Sequence, residues 1–426
     1  MSNIKQAHTP LPDNWKWTTL GEIAKYINGR AFKPSEWENQ GRPIIRIQNL
    51  TCSTNDINYY SKPVDEKYIV RNGDLLISWS ATLGVYLYKG EEAVLNQHIF
   101  KVEPQINKMF LYYLTTAFLN SLKAQVHGSG MQHITKKKFE DTPVPLPPPD
   151  KQELIVLQIE ELFSRLDAGV AGLKRAKAEL ERYRASVLKA AFEGRLVQQD
   201  PNDEPIIETL DTLGIKLLEP EIQSNLPVGW VNLYLHQIAN VGTGATPLRS
   251  NKMYWEGGTI PWVKSGALND GYVLQAEECI TPIALEETNA KLVKAGSLLV
   301  AMYGEGKTRG KISELTFEAA TNQAIASIEF SKENSIFKPY IKMYFQSYYD
   351  DLRRLASGGV QPNLNLSIIR NITIPLPPIM EQRRITEKLD SVISKIQKME
   401  KSIDQSFSNA DNLRATILNQ AFKGVL

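Results

Sequence analysis

The sequence predicts an α+β protein with an internal duplication. Two globular α/β domains are separated by two long α-helices, and these helices form an antiparallel coiled coil with pseudo-twofold symmetry. Three observations lead to this prediction. Short motifs recur at a nearly constant spacing, two segments share a seven-residue apolar period, and the regions before these segments combine strand-like and helix-like patterns.

The duplication is visible as pairs of similar strings in the same order along the chain. LPDNW (11–15) returns as LPVGW (226–230), VRNGDLLIS (70–78) as VKAGSLLVA (293–301), and NQHIF (96–100) as NQAIA (322–326). PLPP (145–148 and 375–378) and the pair LKAAFEGRL and LNQAFKGVL (188–196 and 418–426) both recur after 230 residues. The spacing grows through the first part of each copy and then stays constant. Each copy therefore combines a part of variable length with a part of fixed length.

The two segments of fixed length are predicted to be long helices that pair with each other. Apolar residues seven apart form one seam in each: Ile159, Leu166, Leu173, Leu180 and Val187 in the first, and Leu389, Ile396, Ile403, Ala410 and Ile417 in the second. Proline-rich punctuation precedes each segment, and Gly194 and Gly424 suit C-terminal caps. Each helix is then about 60 Å long. The alternative is two surface helices that pack on their own domains, but the shared register and length favour an antiparallel pair.

These patterns divide the chain into five parts. They are a first globular domain (1–150), a central long helix (151–193), a linker with one short helix (194–225), a second globular domain (226–380) and a C-terminal long helix (381–426). The globular domains mix β-rich runs such as GDLLIS and SLLVAMY with helical stretches such as PYIKMYFQSYYDDLRRLA. Each is therefore expected to be an α/β domain with long polar loops.

Composition limits the classes of protein that this chain can be. With 49 Lys and Arg against 47 Asp and Glu, the formal net charge is +2, so a polyanion-binding site must rest on local cation clusters. Cys52 and Cys279 lie far apart and no Cys-x-x-Cys pair occurs, which indicates a reducing compartment and no structural metal site. No apolar run has the length of a signal peptide or a membrane span, so we expect a cytoplasmic protein without a membrane partner.

Several loop and linker strings carry a resemblance to a known family. The second half contains VGTGATPLRSNKMYWEGGTIPWVKSGAL (241–268), GGVQPNLN (358–365) and PLPPIMEQRRI (375–385). The first half contains the looser GSGMQHITKKKF (128–139) and PLPPPDKQELI (145–155), and the linker contains GRLVQQDPNDEP (194–205). In this order, and joined to two long helices, these strings make the chain resemble the specificity subunit of type I restriction-modification systems over nearly its whole length.

The resemblance implies a function and a set of partners. Each globular part would be a target-recognition domain for double-stranded DNA, and the helices would be the spacer and the docking surface for two copies of a methyltransferase subunit. Restriction and translocase subunits are further implied partners. AdoMet is expected on the methyltransferase subunit, ATP and Mg on the restriction subunit, and no cofactor on this chain. The first half has YINGRAFKPSEW and PIIRIQNL in place of the family's GGTPS-like and IPW strings, so loops are not carried over from the second domain to the first.

Loops rich in polar, cationic and glycine residues are the candidate DNA-reading surfaces. Arg and Lys suit guanine, Asn and Gln suit adenine, and backbone amides suit phosphate. The candidates are Arg30, Lys33, Arg46, Trp79, Ser80, Gln132, His133, Lys136 and Lys137 in the first domain, and Thr246, Arg249, Ser250, Lys252, Lys264, Tyr303, Lys307, Arg309, Gln361, Asn363 and Asn365 in the second. For each of them the alternative is an ordinary solvated loop residue. Trp15, Trp230 and Trp262 are predicted to be core residues rather than base-stacking platforms.

One string suggests a different chemistry. AMYGEGKT (301–308) matches the looser form of a phosphate-binding loop, but RGKISELTF (309–317) has the pattern of a strand where such a loop needs a helix. Lys307, Arg309 and Lys311 are therefore interpreted as cations at a hairpin tip. The Asn/Asp-Pro-Pro-aromatic string of adenine methyltransferases is missing, and no catalytic residue is assigned. The sequence predicts a non-enzymatic DNA-recognition subunit. A coiled-coil scaffold for protein assembly and an ATP-dependent enzyme are the alternatives.

Overall fold

The computed structural model of the chain describes residues 11–80, 82–125, 135–218, 226–268, 271–304, 308–355 and 364–425, without the side chains of 120–125 and 355. The chain forms two compact units. Unit 1 comprises residues 1–175 and 402–426, and unit 2 comprises residues 176–401. Each unit therefore contains one globular domain and one part of each long helix.

Unit 1 consists of short strands and helices, and both contribute apolar residues to its core. Its strands are β1 (Lys16–Thr19), β2 (Ala24–Asn28), β3 (Arg42–Ile45), β4 (Tyr59–Tyr60), β5 (Ile69–Val70), β6 (Leu75–Ser78), β7 (Gly84–Leu87), β8 (Ala93–Leu95), β9 (Ile99–Pro104) and β10 (Pro143–Leu146). Its helices are α1 (Leu20–Ile23), α2 (Ile47–Leu50), α3 (Lys108–Gln125), α4 (Lys136–Glu140) and the first part of α5 (Pro149–Phe192). Its described strands form a β1-β10 pair and two sheets, β2-β9-β6-β7 and β4-β3-β8-β5.

Unit 2 has the corresponding elements in the same order. Its helices are α6 (Ile206–Thr212), α7 (Leu235–Ile238), α8 (Pro282–Glu287), α9 (Lys338–Ser347), α10 (Tyr349–Leu355), α11 (Leu366–Arg370) and the first part of α12 (Ile379–Ala421). Its strands are β11 (Val231–Tyr234), β12 (Asn240–Thr243), β13 (Ile260–Val263), β14 (Tyr272–Val273), β15 (Glu278–Ile280), β16 (Leu292–Val293), β17 (Leu298–Ala301), β18 (Ile312–Leu315), β19 (Ala319–Thr321), β20 (Ile325–Glu329) and β21 (Thr373–Leu376). The described strands form a β11-β21 pair and sheets in the orders β12-β20-β17-β18-β14 and β15-β13-β19-β16.

The two units share one topology. Each strand of unit 1 has a counterpart in unit 2, and β14 is an addition at one sheet edge of unit 2. The registers agree as well, because Lys16 lies opposite Leu146 in one terminal pair and Val231 lies opposite Leu376 in the other. Two equivalent strand pairs are parallel, β3 with β8 in unit 1 and β13 with β19 in unit 2. The two domains therefore share their strand arrangement even though the loop sequences of the first domain differ from those of the second.

The long helices begin two residues before the predicted positions 151 and 381. Helix α5 starts at Pro149 and α12 at Ile379. Pro149 can belong to α5 because the first turn of a helix tolerates proline and needs no partner for its own amides. The side-chain amides of Gln152 and Gln382 donate to the carbonyl oxygens of Pro147 (3.0 Å) and Pro377 (2.8 Å). Both helices thus begin with the same side-chain brace on the proline-rich turn.

Both helices also end in the same way, at the predicted glycines. Gly194 and Gly424 have φ angles of +71° and +69°, a backbone conformation that favours glycine. A Cβ atom at Gly194 would lie 2.2 Å from Cγ of Pro227, and a Cβ atom at Gly424 would lie 2.2 Å from Cγ of Pro12. Glycine is therefore required twice over, by the backbone conformation and by close contact with the repeated LPxxW turn.

The two helices pair in antiparallel fashion. In unit 1 Ile155 and Ile159, near the start of α5, belong to the same buried cluster as Ile417 and Leu418 near the end of α12. In unit 2 the end of α5 and the start of α12 share a cluster in the same manner. The predicted seam residues that are buried are Ile159, Val187, Leu389, Ile396, Ile403, Ala410 and Ile417, and those that are half-buried are Leu166, Leu173 and Leu180.

The linker adds a contact to unit 2. Ile206 and Leu210 of α6 are fully buried in the unit 2 core, and Arg384 of α12 donates to Asp203 at 3.2 Å. The Asp203 side chain is 8% exposed, so this ion pair is largely shielded from water. In unit 1 the position 230 residues before Arg384 is Leu154, which is half exposed. We call the ion pair between Asp203 and Arg384 the linker clamp, and it distinguishes unit 2 from unit 1.

Next to this clamp lies a buried carboxyl group. The indole N–H of Trp230 donates to Oε2 of Glu381 at 2.9 Å, and both side chains are buried. Burial raises the pKa of Glu381 above its ordinary value, although the hydrogen bond from Trp230 and the charge of Arg384 act in the opposite direction. Trp230 and Trp262 are core residues, as predicted, and Trp15 is half-buried against the unit 1 core.

Candidate nucleic-acid interface

In each unit, a short turn that begins with Asn-Gln joins two equivalent strands, β8 to β9 in unit 1 and β19 to β20 in unit 2. In unit 1 this turn comprises residues 96–98, between β8 and β9. The Ile99 amide donates to the Asn96 carbonyl (3.2 Å), and the Asn96 amide donates to the Ile45 carbonyl at the end of β3 (3.1 Å). The Trp79 amide, just after β6, donates to the His98 carbonyl (3.3 Å). The turn is therefore fixed by the ends of β3 and β6.

The same turn in unit 2 comprises residues 322–324, and it is braced by the equivalent bonds. The Ile325 amide donates to the Asn322 carbonyl (3.2 Å), and the Asn322 amide donates to Val263 at the end of β13 (3.0 Å). The Met302 amide, just after β17, donates to the Ala324 carbonyl (2.8 Å). We call residues 96–98 and 322–324 the Asn-Gln turns.

Glycine brings a second segment of backbone against each turn. A Cβ atom on Gly29, just after β2, would lie 2.1 Å from the carbonyl oxygen of Asn96. A Cβ atom on Gly244, just after β12, would lie 1.9 Å from the carbonyl oxygen of Thr321. Because the atom in the way is backbone, no side chain can move aside to make room. The candidate reading loops that follow these glycines therefore start from a fixed point beside the turn.

Arg30 follows Gly29 directly and is held in place by its own loop. Its amide donates to the Leu95 carbonyl at 2.8 Å. Its guanidinium lies 4.8 Å from the ring centre of Phe32 and 5.0 Å from that of Tyr60, and it pairs with Glu36 at 2.5 Å. Stacking and the ion pair together hold this cation beside the Asn-Gln turn.

Arg46 lies at the end of β3, where the Asn-Gln turn is anchored. Its guanidinium is 5.2 Å from the ring centre of Trp37, and its amide donates to Oδ1 of Asn49 at 3.0 Å. Its Nε atom is buried without a hydrogen-bond partner in the described part of the chain. This cation is therefore positioned by packing.

Trp79 and Ser80 pack next to the unit 1 turn. The Trp79 ring stacks on Phe100 with 5.8 Å between centroids, and it meets the His98 ring edge-on at 5.4 Å. Ser80 is only 5% exposed. Both predicted candidates thus come close to the turn, but as packed residues at the end of β6 rather than as exposed loop side chains.

The remaining unit 1 candidates lie on other elements. Lys33 is exposed in the loop after Arg30, and Lys136 and Lys137 are exposed on α4, which packs against α1. Lys136 pairs with Glu140 at 3.5 Å along that helix. Gln132 and His133 lie outside the described residues.

In unit 2, Arg249 and Lys264 both pair with the carboxylate of Glu278. The Arg249 guanidinium lies 3.7 Å from the ring centre of Trp255 and 4.9 Å from that of Trp262, and it pairs with Glu278. Lys264 follows β13 just as Arg46 follows β3, and its Nζ lies 2.7 Å from Oε1 of Glu278. Hydrogen bonds from Arg249 and then Lys264 lower the pKa of Glu278, which keeps it charged. Two predicted DNA-binding cations therefore pair with Glu278, and Lys264 has a second partner in Glu277 at 3.2 Å.

Unit 1 has no carboxylate at the position of Glu278. In unit 2, Glu278 lies opposite Trp262, which is the third residue of β13. The third residue of the equivalent strand β3 is Ile44, and its amide donates to the carbonyl of Asn58 at 2.7 Å. The neutral Asn58 thus takes the place of Glu278. Sequence reasoning missed Glu278, since only the strand pairing brings it to the cations.

The other unit 2 candidates have different surroundings. Thr246 donates its hydroxyl to Oε1 of Gln323 in the Asn-Gln turn (2.5 Å). Ser250 and Lys252 are exposed, and Lys252 pairs with Glu256 at 3.2 Å. Of this group, only Thr246 contacts the turn directly.

Three further candidates are partly engaged in the fold, and three cannot be placed. Tyr303 is half-buried against the unit 2 core, Arg309 is half-buried between β17 and β18, and Oδ1 of Asn365 caps α11 by accepting from the Ile368 amide at 2.9 Å. The strand β18 follows the GKT string, as its pattern predicted. Lys307, Gln361 and Asn363 lie outside the described residues.

The Asn-Gln turns contain residues that the candidate set omits. Nε2 of Gln97 lies 3.3 Å from Nε2 of His98. Oε1 of Gln97 and Nδ1 of His98 are buried and lack a hydrogen-bond partner among the described residues. In unit 2, Gln323 is exposed. The signal for these residues in the sequence is the recurrence of Asn-Gln in the repeated strings NQHIF and NQAIA.

The two units correspond to two matches with one known family. The family model described as "Type I restriction modification DNA specificity domain" matches residues 12–182 and again residues 227–405. The chain belongs to this family. The two matched regions coincide with the two globular domains, each followed by part of a long helix.

Individual members of the family are similar over nearly the whole chain. The type I restriction enzyme EcoBI specificity subunit of Escherichia coli is 28% identical over 431 residues, covering 98% of this chain and 87% of that protein. The MjaVIII specificity subunit of Methanocaldococcus jannaschii is 23% identical, covering 95% and 92%. These relatives identify the chain as a DNA-recognition specificity subunit.

Two solved structures share the fold. A chain from work on complex assembly and conformational transition of the type I R-M system superposes with a TM-score of 0.71 at 19% identity, covering 98% of this chain and all of that one. The HsdS subunit from Thermoanaerobacter tengcongensis superposes with a TM-score of 0.56 at 19% identity, covering 99% of this chain. The predicted fold class, with two α/β domains and an antiparallel pair of long helices, is confirmed.

Two further properties concern the described residues alone. None of the described helices is both long enough and apolar enough to cross a membrane. Within the same residues, no cluster of three or more His, Cys, Asp or Glu side chains has the arrangement of a metal site.

Proposed function

We propose that this specificity subunit reads a bipartite, asymmetric DNA target, with each unit reading one half-site. The observation that carries the proposal is that the two units share one strand topology and one pair of Asn-Gln turns, but carry different side chains at the strand ends beside those turns. In unit 1 the neutral Asn58 occupies the strand position that Glu278 has in unit 2, where Glu278 pairs with both Arg249 and Lys264. Surfaces that differ in their donors, acceptors and charges cannot prefer the same base edges, because each base pair presents its own pattern in the major groove.

The long helices are proposed to set a constant gap between the half-sites. Both have fixed N-terminal braces and glycine caps, so their lengths are defined at both ends. Ion pairs between the helices support the same register: Arg184 with Glu400 at 3.1 Å in unit 2, and Arg414 with Asp167 in unit 1. Readers on one face of B-DNA must lie about one helical turn apart, roughly 34 Å. A pair of helices of defined length can act as such a ruler.

The chemistry is proposed to reside in partner subunits in the cytoplasm. The chain would direct two copies of a methyltransferase subunit, which bind AdoMet, and restriction subunits, which use ATP and Mg. In support, the chain lacks the Asn/Asp-Pro-Pro-aromatic string with which adenine methyltransferases grip a flipped base. The chain itself is thus proposed to be non-catalytic.

Mapping of methylated adenines tests this proposal. The full chain would be expressed with and without a partner methyltransferase subunit in a host free of other methylation. The expected result is a two-part asymmetric motif with one constant gap, seen only when both proteins are present. Methylation by the chain alone would show that it is an enzyme, and a continuous or palindromic motif would contradict two different readers.

A further inference from the structure

The residues next to the Asn-Gln turns differ between the two units, but the first two residues of the turns do not. Next to the turns, Arg46 corresponds to Lys264, and Trp79 corresponds to Met302. Within the turns, His98 corresponds to Ala324. The asparagine and the glutamine are the same in both units. An identical pair among unlike neighbours must serve something that both units have in common.

The fold accounts for the asparagine. The bonds that brace each turn come from its first and third residues, through the amide and carbonyl of Asn96 and the carbonyl of His98 in unit 1. Asparagine is also a favoured residue at the start of a turn. The second residue, Gln97 or Gln323, takes no part in these bracing bonds. Turn geometry accepts many side chains at this position, so it does not explain why glutamine recurs.

The glutamine side chains retain unused hydrogen-bonding capacity. Oε1 of Gln97 is buried without a partner among the described residues, which is an unfavourable arrangement unless a ligand completes it. Oε1 of Gln323 accepts from Thr246 and has a second lone pair, and none of the hydrogen bonds between described residues uses its amide NH2. The backbones of both turns are held by neighbouring strands, so only a side-chain rotation is needed to turn the buried Oε1 of Gln97 towards a ligand.

We propose that Gln97 and Gln323 each read one adenine in the major groove. The carboxamide NH2 would donate to adenine N7, and Oε1 would accept from the adenine N6 amino group, a pairing that matches both atoms of the side chain at once. Both half-sites would then contain an adenine at the position that faces the Asn-Gln turn. The unlike neighbours Arg46, His98 and Lys264 would supply the differences between the half-sites. This inference rests on the proposed function.

Substitution of each glutamine tests the assignment within the full complex with its methyltransferase. After the parent motif is mapped, Gln97→Ala should relax the preference for adenine at one position of one half-site, and Gln323→Ala should do so at the equivalent position of the other. The expected loss of discrimination is roughly tenfold to a hundredfold at that base pair. Gln40→Ala in unit 1 and Gln275→Ala in unit 2 remove glutamines outside the turns and should leave both half-sites unchanged.

A modified base separates direct reading from a structural role. Binding is measured on a target whose assigned adenine is replaced by the deaza analogue that lacks the N7 acceptor but keeps its base pairing. The parent complex should bind this target roughly tenfold more weakly, whereas the Gln→Ala variant of that unit should show no further loss. Equal losses for parent and variant would show that the glutamine only supports the turn. A bipartite motif without adenine in one half-site would overturn this inference alone, and the absence of any bipartite motif would overturn the proposed function with it.

Discussion

Units 1 and 2 share one backbone framework but carry different side chains at their strand ends. The order of their strands, the register of their terminal pairs, the helix caps and the bracing of the Asn-Gln turns agree. The residues at their strand ends differ in charge, because Glu278 pairs with Arg249 and Lys264 in unit 2, whereas the neutral Asn58 occupies the equivalent strand position in unit 1. Their supports differ too, because only unit 2 has the linker clamp between Asp203 and Arg384.

The comparison shows which parts of such a domain are constrained. The shared features are backbone bonds, close glycine contacts and buried apolar side chains, where a change of even one atom meets neighbouring atoms. The differing features are exposed side chains at strand ends, where substitutions cost little stability. A reader can therefore change its surface without changing its frame, and the following predictions test how far this separation holds.

The largest effect is expected at Gly29 and Gly244, which lie against the backbone of Asn96 and Thr321, at or immediately before the Asn-Gln turns. Gly29→Ala and Gly244→Ala should each destabilise their own unit by about 3 kcal/mol, because the added Cβ would overlap a backbone carbonyl oxygen. Gly169→Ala is the control, since this exposed helical position has open space and should gain roughly 0.5–1 kcal/mol. Hydrogen exchange of β8 and β19 amides measures the effect in each unit. A tolerated substitution in one unit alone would break the equivalence of the two frames.

A smaller loss is expected when the linker clamp is removed. Asp203→Asn should destabilise the packing of α6 by roughly 1–3 kcal/mol, because Arg384 then loses a shielded charged partner. Asp351→Asn is the matched control, because its partner Arg354 is 81% exposed and such pairs contribute less than about 0.5 kcal/mol. Hydrogen exchange within residues 206–212 is the measurement. Equal responses to the two substitutions would show that the clamp is an ordinary surface ion pair.

The buried carboxyl group of Glu381 should give unit 2 a pH dependence of its own. Its pKa is raised in the folded state, so between the ordinary value near 4.5 and the folded pKa the folded state binds more protons, and stability falls as pH rises. Glu381→Gln keeps an acceptor for the Trp230 indole and should therefore be more stable than the parent at neutral pH. Thermal unfolding against pH should show this advantage shrinking as pH falls towards 4.5. An advantage that grows on acidification would contradict the raised pKa.

The smallest effect concerns the charge at the reading edges. Glu278→Gln should strengthen DNA binding at low salt and steepen its dependence on salt by about one in the logarithmic slope, because Arg249 then becomes available to phosphates while Lys264 keeps its second partner, Glu277. Asn58→Glu makes the reverse change in unit 1 and should weaken binding. Binding curves at several salt concentrations measure both. If Glu278→Gln weakened binding, the carboxylate would instead be needed to orient the two cations.

The sequence predicted the regular parts of this fold more fully than its reading edge. The apolar seam, the glycine caps and the position of the short linker helix follow from local patterns. In the structure Val187 and Ile417 are buried and α6 spans Ile206–Thr212. The helix starts differ by two residues, since the sequence treated Pro149 as a boundary although the first helical turn accepts it.

The reading edge could be predicted only in part, because it is assembled from distant segments. Arg30, Arg46 and Thr246 were identified from their loops, and they lie beside the Asn-Gln turns. Glu278 and Gln97 were missed. Their environments depend on strand pairings, such as β13 with β15 and β3 with β8, that no local pattern contains. Which of these side chains contact bases stays a prediction.

The central claim is that one frame carries two independent readers, and a domain exchange tests it most directly. Residues 226–380 would be replaced by the corresponding domain of another family member, and methylated adenines would be mapped for the chimaera and the parent with the same methyltransferase subunit. The account predicts that one half-site changes while the other half-site and the gap between them stay the same. A change in both half-sites, or a new gap with both half-sites retained, would contradict it.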